Sequence, residues 1–284
     1  MTIVEIEVSE DDELLMHNYE TLPENCMKYW KKRYEIFAKV DEGVYMTAEL
    51  WYSVTPEDVA IFTAKLVKWL LPEAKHILDV CCGGGGNAIQ FGKLFDSVGA
   101  IDINRNNLYC TTHNAGIYDV EDKVWTFEGD WREMAPIGDN VPLRTDWIPS
   151  NILAKRSTGL NPFDCAFLSP PWGGPLYTQT KTFDLSKMSP FSLRELAMQM
   201  KRYADNYMMF LPKNSNLQQL REVTKELHGE DSICRILYVE QWGKRVAMLA
   251  LWGPQFTKGD IDYAEIFPEE NVQIGQPGDS DLEE

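Results

Sequence analysis

LDVCCGGGGN, residues 78–87, reads as the end of a buried strand, a glycine turn and the start of a helix. Glycines there let a ligand lie against the backbone, and the helix that opens at Asn87-Ala88 offers free N–H groups. No lysine follows the glycines as it does in a nucleoside-triphosphate loop, which argues against an NTPase. Further on, AIDIN (100–104) ends a second strand in Asp102. An acid at that place can bind both hydroxyls of a ribose. EGDW (128–131) ends a third strand. Asp130 there can accept from an adenine exocyclic amine, with Trp131 beside the ring. Each acid alone could form a turn. Three of them, at the ends of three consecutive strands, favour a nucleoside-bearing cofactor.

Outward from this turn the chain alternates short apolar runs with helical segments. HILDVCC, SVGAIDI, KVWTFEGD, FDCAFLSPP and NYMMFLPK read as strands; NAIQFGKLF, NLYCTTHNAGIY and LRELAMQMKRYA read as helices between them. The pattern predicts an α/β fold, a mostly parallel sheet with helices on both faces. ICRILYVEQWGKRVAMLALWG predicts an antiparallel hairpin around Trp242-Gly243-Lys244. Upstream, Thr55 reads as an N-cap, Pro56 as the first helical residue and Asp58 as a capping partner. Val59, Phe62, Leu66, Trp69 and Leu70 then form one apolar helix face. KYWKKRYEIF (28–37) reads as a single helix, with Tyr29 or Trp30, Tyr34 and Phe37 at helical spacing. Its Lys28, Lys31, Lys32 and Arg33 form either a solvated face or a phosphate contact. Residues 131–162 carry prolines at 136, 142, 149 and 162 and are expected to be a surface insertion.

The chain has 284 residues, 44% hydrophobic and 12% aromatic, enough for a real core and against wholesale disorder. No apolar run approaches the roughly 18 residues of a membrane span. The opening MTIVEIEVSEDDELL lacks a basic and then an apolar region, so no secretory signal is expected. Six cysteines without a CxxC pair read as reduced core thiols. His17, His76, His113 and His228 are scattered and offer no metal-ligand spacing. The net charge of −17 belongs to the ends. Residues 1–26 hold eight acids and no base, and residues 258–284 hold nine acids and one lysine, so the body between them is nearly neutral. Both ends are expected to be flexible acidic tails.

LSPPWGGP, residues 168–175, follows the fourth strand. Two prolines fix the backbone and remove two N–H donors, which leaves carbonyls to accept hydrogen bonds from an amine. Trp172 adds a flat face for stacking. This is the arrangement with which S-adenosylmethionine enzymes hold a planar amine for methylation.

KYWKKRYEIF, ELWYSVTPE, ILDVCCGGGGNAIQF, AIDI, FLSPPWGGPLY and MFLPKN, in that order, resemble the trimethylguanosine synthase family over about residues 27–252. The resemblance implies S-adenosyl-L-methionine-dependent methylation, twice, of the exocyclic N2 of 7-methylguanosine caps on small nuclear and nucleolar RNAs. It implies a class I methyltransferase fold, with a Rossmann-like seven-stranded sheet ending in an antiparallel hairpin. The implied organisation is a tail (1–26), a helical extension completing the cap site (27–75), the methyltransferase domain (76–257) and a second tail (258–284). Thr55, Asp79, Cys81, Gly83, Asn87, Asp102, Asp130 and Trp131 would hold the cofactor. Ser169 and Pro170 would face the attacking amine, and Trp172 would stack on 7-methylguanine. Lys28, Phe37, Asn114, Tyr177, Phe210 and Lys213 would line the cap and its triphosphate. Lys213 stands where the family usually has arginine, and Cys81 where it usually has an aromatic. The implied partner is the capped RNA, held by its cap more than its body, with small ribonucleoprotein proteins beside it. The implied location is the nucleus and nucleolus, with no metal and no membrane involved. Adenine-N6 or glutamine-N5 methylation uses the same Pro-Pro-aromatic device and is the alternative chemistry. A catalytically silent cap-binding protein is the alternative from outside enzymology.

Overall fold

The computed structural model describes residues 14–138, 140–154, 161–172, 180–241 and 243–268. Its sheet is built from β1 (His76–Val80), β2 (Ser97–Asp102), β3 (Val124–Glu128), β4 (Cys165–Leu168), β5 (Asn206–Pro212), β6 (Arg235–Gln241) and β7 (Lys244–Trp252). The strand order is β3-β2-β1-β4-β5-β7-β6. The first five strands run parallel, and β7 is antiparallel to both β5 and β6. The α/β sheet and its terminal hairpin thus stand as the sequence predicts.

Strand geometry sends alternate side chains to opposite faces. Ile77, Cys165, Phe167, Met208 and Phe210 join one core cluster. Leu78, Val80, Ala166, Leu168, Tyr207 and Met209 join the other. Every residue of β1, β4 and β5 is buried, which is why these strands read as unbroken apolar runs rather than as alternation. On the first face lie α4 (Glu57–Leu70), α5 (Gly86–Leu94) and α6 (Arg105–Ile117), and on the second α9 (Leu193–Tyr203). A further helix, α10 (Leu217–His228), follows β5. The strand order reverses between β1 and β4, so the turns that leave these two strands flank one crevice.

Several local expectations need correction. KYWKKRYEIF is two single turns, α1 (Met27–Trp30) and α2 (Arg33–Ile36), broken at Lys31-Lys32. The break turns Ile36 and Phe37 into the core and leaves Tyr34 outside, where its hydroxyl donates to Asp41 at 2.6 Å. The long helix starts one residue later than read, with Pro56 as its N-cap, and Thr55 is not the cap. Asp58 receives the neighbouring Val59 N–H rather than reaching back. The described part of the 131–162 connection is not simply a surface insertion. It contains α7 (Trp131–Met134) and α8 (Ser150–Ala154) and sends Trp147, Ile148 and Ile152 into the second core. Trp147 stacks on Phe163 at 6.0 Å and also meets Trp125, Trp131 and Tyr203.

Both acidic ends are packed further than expected. Leu22 and Cys26 are buried, and Met46 N–H donates to Leu15 carbonyl at 2.7 Å. At the other end α11 (Tyr263–Ile266) lies on α4, where Phe267 stacks on Phe62 at 5.3 Å. Residues 1–13 and 269–284 of the two acidic ends, and Trp242 of the hairpin turn, lie outside the described residues.

Gly99, in the middle of β2, marks how closely the edge is packed. A Cβ there would sit 2.5 Å from the Trp125 ring, itself fixed by Ser97, Trp147 and Phe163. Gly99→Ala is expected to cost about 1–3 kcal/mol by overpacking. Urea unfolding with an unchanged slope and a lower midpoint would register it; an unaltered midpoint would show that Trp125 is free to move.

Candidate active site

The carboxyl ends of β1 to β3 present three acids in three different states. Asp79, on β1, is 1% exposed, and neither of its oxygens has a hydrogen-bond partner. Only the Ala88 N–H at the start of α5 faces it. Burial, and then the nearby Asp102, push its carboxyl well above the usual range. Asp102, at the end of β2, is already held. Its Oδ2 accepts the Gly83 N–H at 2.9 Å; its Oδ1 accepts the Asn104 N–H at 2.8 Å and Asn107 Nδ2 at 3.3 Å. Burial raises its pKa and these donors oppose the rise. Asp130 caps α7 and forms a bidentate ion pair with Arg132, whose hydrogen bonds lower its pKa.

The glycine turn between β1 and α5 is clamped from three sides. Cys81, Gly83 and Gly85 all have positive φ, and Gly85 is the N-cap of α5 at φ 85°. A Cβ on Gly83 would come 2.9 Å from Leu50 of α3 (Leu50–Ser53), and one on Gly86 would come 3.2 Å from the Thr55 carbonyl. Thr111 of α6 donates to the Gly83 carbonyl at 2.7 Å. Thr55 is buried and its hydroxyl accepts Asn87 Nδ2 at 2.9 Å, while Asn87 Oδ1 is buried without a partner. The Cys81 thiol is half-buried, and its pKa is pushed up by burial and the neighbouring carboxylates, so it stays protonated.

On the other side of the crevice, Ser169 N–H donates to Val80 carbonyl at 3.4 Å, which ties the β4 turn to the end of β1. Pro170 is buried, Pro171 is exposed and Trp172 is half-buried. Trp172 is fixed at its edge: its Nε1 donates to the Phe210 carbonyl at 3.1 Å, and the two rings lie 5.6 Å apart. Lys213, just past β5, is exposed; so is Lys28, whose ammonium lies 4.9 Å over Tyr29. Tyr177 lies outside the described residues.

Three of the predicted site residues are committed to packing instead. Phe37 is buried against Tyr118. Trp131 is buried against Trp147 and Tyr203, so its ring is part of the core. Asn114 is fully buried. Its Oδ1 accepts Tyr45 N–H at 2.8 Å, and its Nδ2 donates to the carbonyls of Tyr45 and Gly84, both at 2.9 Å. The sequence reading gave no role to Leu50, which presses on the glycine turn; its place inside the quoted ELWYSVTPE block was the available signal.

A doubly wound sheet with a glycine turn after β1, an acid after β2 and a Pro-Pro-Trp turn after β4 defines a class I S-adenosylmethionine-dependent methyltransferase. Comparison with known proteins agrees and goes further. Residues 74–255 match the family model described as RNA cap guanine-N2 methyltransferase, and the chain belongs to that family. It is 38% identical over 231 residues to the trimethylguanosine synthase of Saccharomyces cerevisiae, covering 81% of this chain and 68% of that protein. It is 32% identical over 219 residues to that of Schizosaccharomyces pombe, covering 76% and 82%. Among solved structures, the human methyltransferase 10 domain containing protein superposes with a TM-score of 0.51 at 13% identity over 78% of this chain and 95% of that one. A Porphyromonas gingivalis protein described as a methyltransferase superposes at 0.57 and 13% identity, with this chain spanning about half of it (51%). These two likenesses concern the fold. The family is a guanine-N2 one, so adenine-N6 and glutamine-N5 chemistry are not favoured.

The residues present fit the cofactor of this class. The orphaned acceptors of Asp79 and Asn87 require a ligand rich in donors, and S-adenosylmethionine carries an ammonium and two ribose hydroxyls. Until such a donor arrives, the Asp79 carboxylate is a buried acid without a partner. Folding disfavours its ionised form, so stability is greatest below the unfolded pKa near ~4 and is lost as pH rises toward the raised folded value. Asp79→Asn is therefore expected to stabilise the ligand-free protein, by about 1–3 kcal/mol at neutral pH and less at pH 5. The same change should weaken S-adenosylmethionine binding at least ~10-fold, about 1.4 kcal/mol. Thermal unfolding across pH 5–8, with calorimetric titration of the cofactor, reads both. A variant that binds normally would remove Asp79 from the cofactor site.

Proposed function

We propose that this chain methylates the exocyclic N2 of 7-methylguanosine caps on small nuclear and nucleolar RNAs, adding two methyl groups in succession. The observation that carries the reading is the Ser169–Trp172 turn: it leaves β4 at the switch in strand order, beside the acids of β1 and β2, in a chain of the guanine-N2 family.

Bound S-adenosylmethionine supplies an electrophilic methyl group. In this reading Asp79, Asn87, Thr55 and Gly83 hold its amino-acid end and Asp102 its ribose. Asp130 accepts from the adenine once it loosens from Arg132. The guanine N2 lone pair is delocalised into the ring and is a poor nucleophile, so orientation has to do much of the work. Carbonyls of Ser169 and Pro170 accept the amine N–H bonds and aim the lone pair. Pro171 has no N–H to compete. The Ser-Pro-Pro-Trp stretch contains no titratable side chain, so alignment and proximity carry the rate rather than a general base. Trp172, braced by Phe210, stacks on the base. N7 methylation gives that base a positive charge, and a cation–π contact of up to about 2 kcal/mol separates 7-methylguanosine from guanosine. The same charge acidifies the ring and eases loss of the N2 proton. Lys28 and Lys213 face the triphosphate as point charges; a lysine lacks the bidentate geometry of arginine there. Such substrates place the enzyme in the nucleus and nucleolus, alongside small ribonucleoprotein proteins.

Mass spectrometry of a reaction with S-adenosylmethionine and a 7-methylguanosine cap analogue should show gains of one and two methyl groups. A guanosine cap should show none. Equal methylation of both caps would overturn the selection argued for Trp172, and no product on either would overturn the reading. Trp172→Ala should lower affinity for the methylated cap by about 30-fold, the equivalent of ~2 kcal/mol, and leave cofactor affinity within twofold.

A further inference from the structure

The carboxylate of Glu57 lies in none of the motifs' assigned roles, yet it joins more chain segments than any acid at the crevice. It is the first residue of α4, and its side chain is 12% exposed. Its Oε2 accepts the Ala38 N–H at 2.6 Å and the Tyr118 hydroxyl at 2.7 Å. Its Oε1 accepts Gln90 Nε2 at 3.3 Å and lies 3.9 Å from the Lys93 ammonium. Tyr118 continues the net: its hydroxyl accepts the Lys39 N–H at 3.3 Å, and its ring packs on Phe37. Lys39 and Lys93 place their ammonium groups over the same ring, at 5.5 and 4.6 Å.

Two bodies meet at this carboxylate. One is the extension, through Phe37–Lys39, which directly follow the basic and aromatic turns α1 and α2. The other is α5, whose first turn belongs to the glycine cradle and whose Gln90 and Lys93 face Glu57. Immediately before Glu57, Val54 and Thr55 press on Gly86, and Thr55 bonds Asn87. Any shift of the cradle helix would therefore reach Ala38 through Glu57 directly and Lys39 through Glu57 and Tyr118.

We propose that Glu57 is a positioning residue that couples the cofactor cradle to the substrate-facing extension. Occupancy of the cradle sets where α1 and α2 stand, and so the affinity for the cap. Coupling between two binding sites is reciprocal: the cap tightens the cofactor by the factor with which the cofactor tightens the cap. The claim about the cap rests on the function proposed above; the claim about the extension does not.

The test uses the full chain and S-adenosylhomocysteine, the demethylated form of the cofactor, which binds without turnover. Wild-type protein should bind 7-methylguanosine diphosphate several-fold more tightly with S-adenosylhomocysteine present, and amides of residues 33–43 should exchange more slowly. In Glu57→Gln one oxygen becomes an NH2 group that meets donors on its side of the net. S-adenosylhomocysteine affinity should stay within twofold, cap affinity should no longer respond to it, and the added exchange protection should vanish. Tyr118→Phe removes one hydroxyl and should reduce the coupling without abolishing it, and it carries the test if Glu57→Gln does not fold. A merely structural role would lower Tm and leave the coupling factor intact, and that result overturns the proposal. So does a wild-type protein with no coupling by either readout. Coupled exchange protection without any cap binding would support Glu57 as the link and overturn the cap reading instead.

Discussion

The amide of Asn114 is the contact on which the arrangement of the crevice depends. It is wholly buried, and it bonds both backbone groups of Tyr45 in the extension and the carbonyl of Gly84 in the cradle. Each such bond contributes only about 0.5–1.5 kcal/mol net. Leaving a buried partner unsatisfied costs about 1–3 kcal/mol. Both backbone groups of Tyr45 would be stranded together if the extension moved away, and the Asn114 amide with them, so the structure is held more by the penalty for separation than by the worth of the bonds. Leu50 against Gly83 and Gly84 follows from the same approach, since the turn can be this close only where no Cβ intervenes.

The extension is therefore one wall of the cofactor turn and not an appendage to it. Leu50 and Thr55 touch the glycines and Asn87, while Glu57 holds Ala38 and Gln90. A Rossmann-like sheet alone leaves its glycine turn open on that side. Here residues that precede the first strand, Leu50 and Thr55, close it.

What was legible in the sequence was what depends on local pattern. The five parallel strands, the hairpin and the acids at strand ends follow from apolar runs and their terminating residues. What was not legible depends on partners far along the chain. The resemblance implied that Asn114 lines the cap, and nothing near it in sequence reveals Tyr45, 69 residues away, as its partner. Trp131 was read as a wall for adenine, but Trp147 and Tyr203 draw its ring into the core. The prolines of the 131–162 connection argued for surface, whereas its Trp147-Ile148 pair was the better guide to burial. The single helix over 28–37 failed for a subtler reason. Its spacing suits one helix, but Tyr34 is on the surface and Ile36 and Phe37 are inside, which a straight helix cannot arrange.

Nor could the sequence rank the three acids, which look alike at the ends of three strands. In the fold, Asp102 is preset: donors from Gly83, Asn104 and Asn107 orient it, so in the proposed role on the ribose it would need little reorganisation. Asp130 is engaged by Arg132, so in the proposed role on the adenine it would exchange one partner for another and its net contribution would be small. Of the three, Asp79 is the most deeply buried, and only the Ala88 N–H faces it. A ligand that supplies its donors relieves a cost the folded protein already bears, and that relief adds to affinity. The same linkage works in reverse: a ligand at 100 times its Kd stabilises the fold by about 2.7 kcal/mol. The site thus keeps one acid rigid for orientation and one unsatisfied for affinity. Since Asp79 and the Ser169 turn are joined through β1, the buried acid lies next to the turn that the proposed function assigns to aligning the amine.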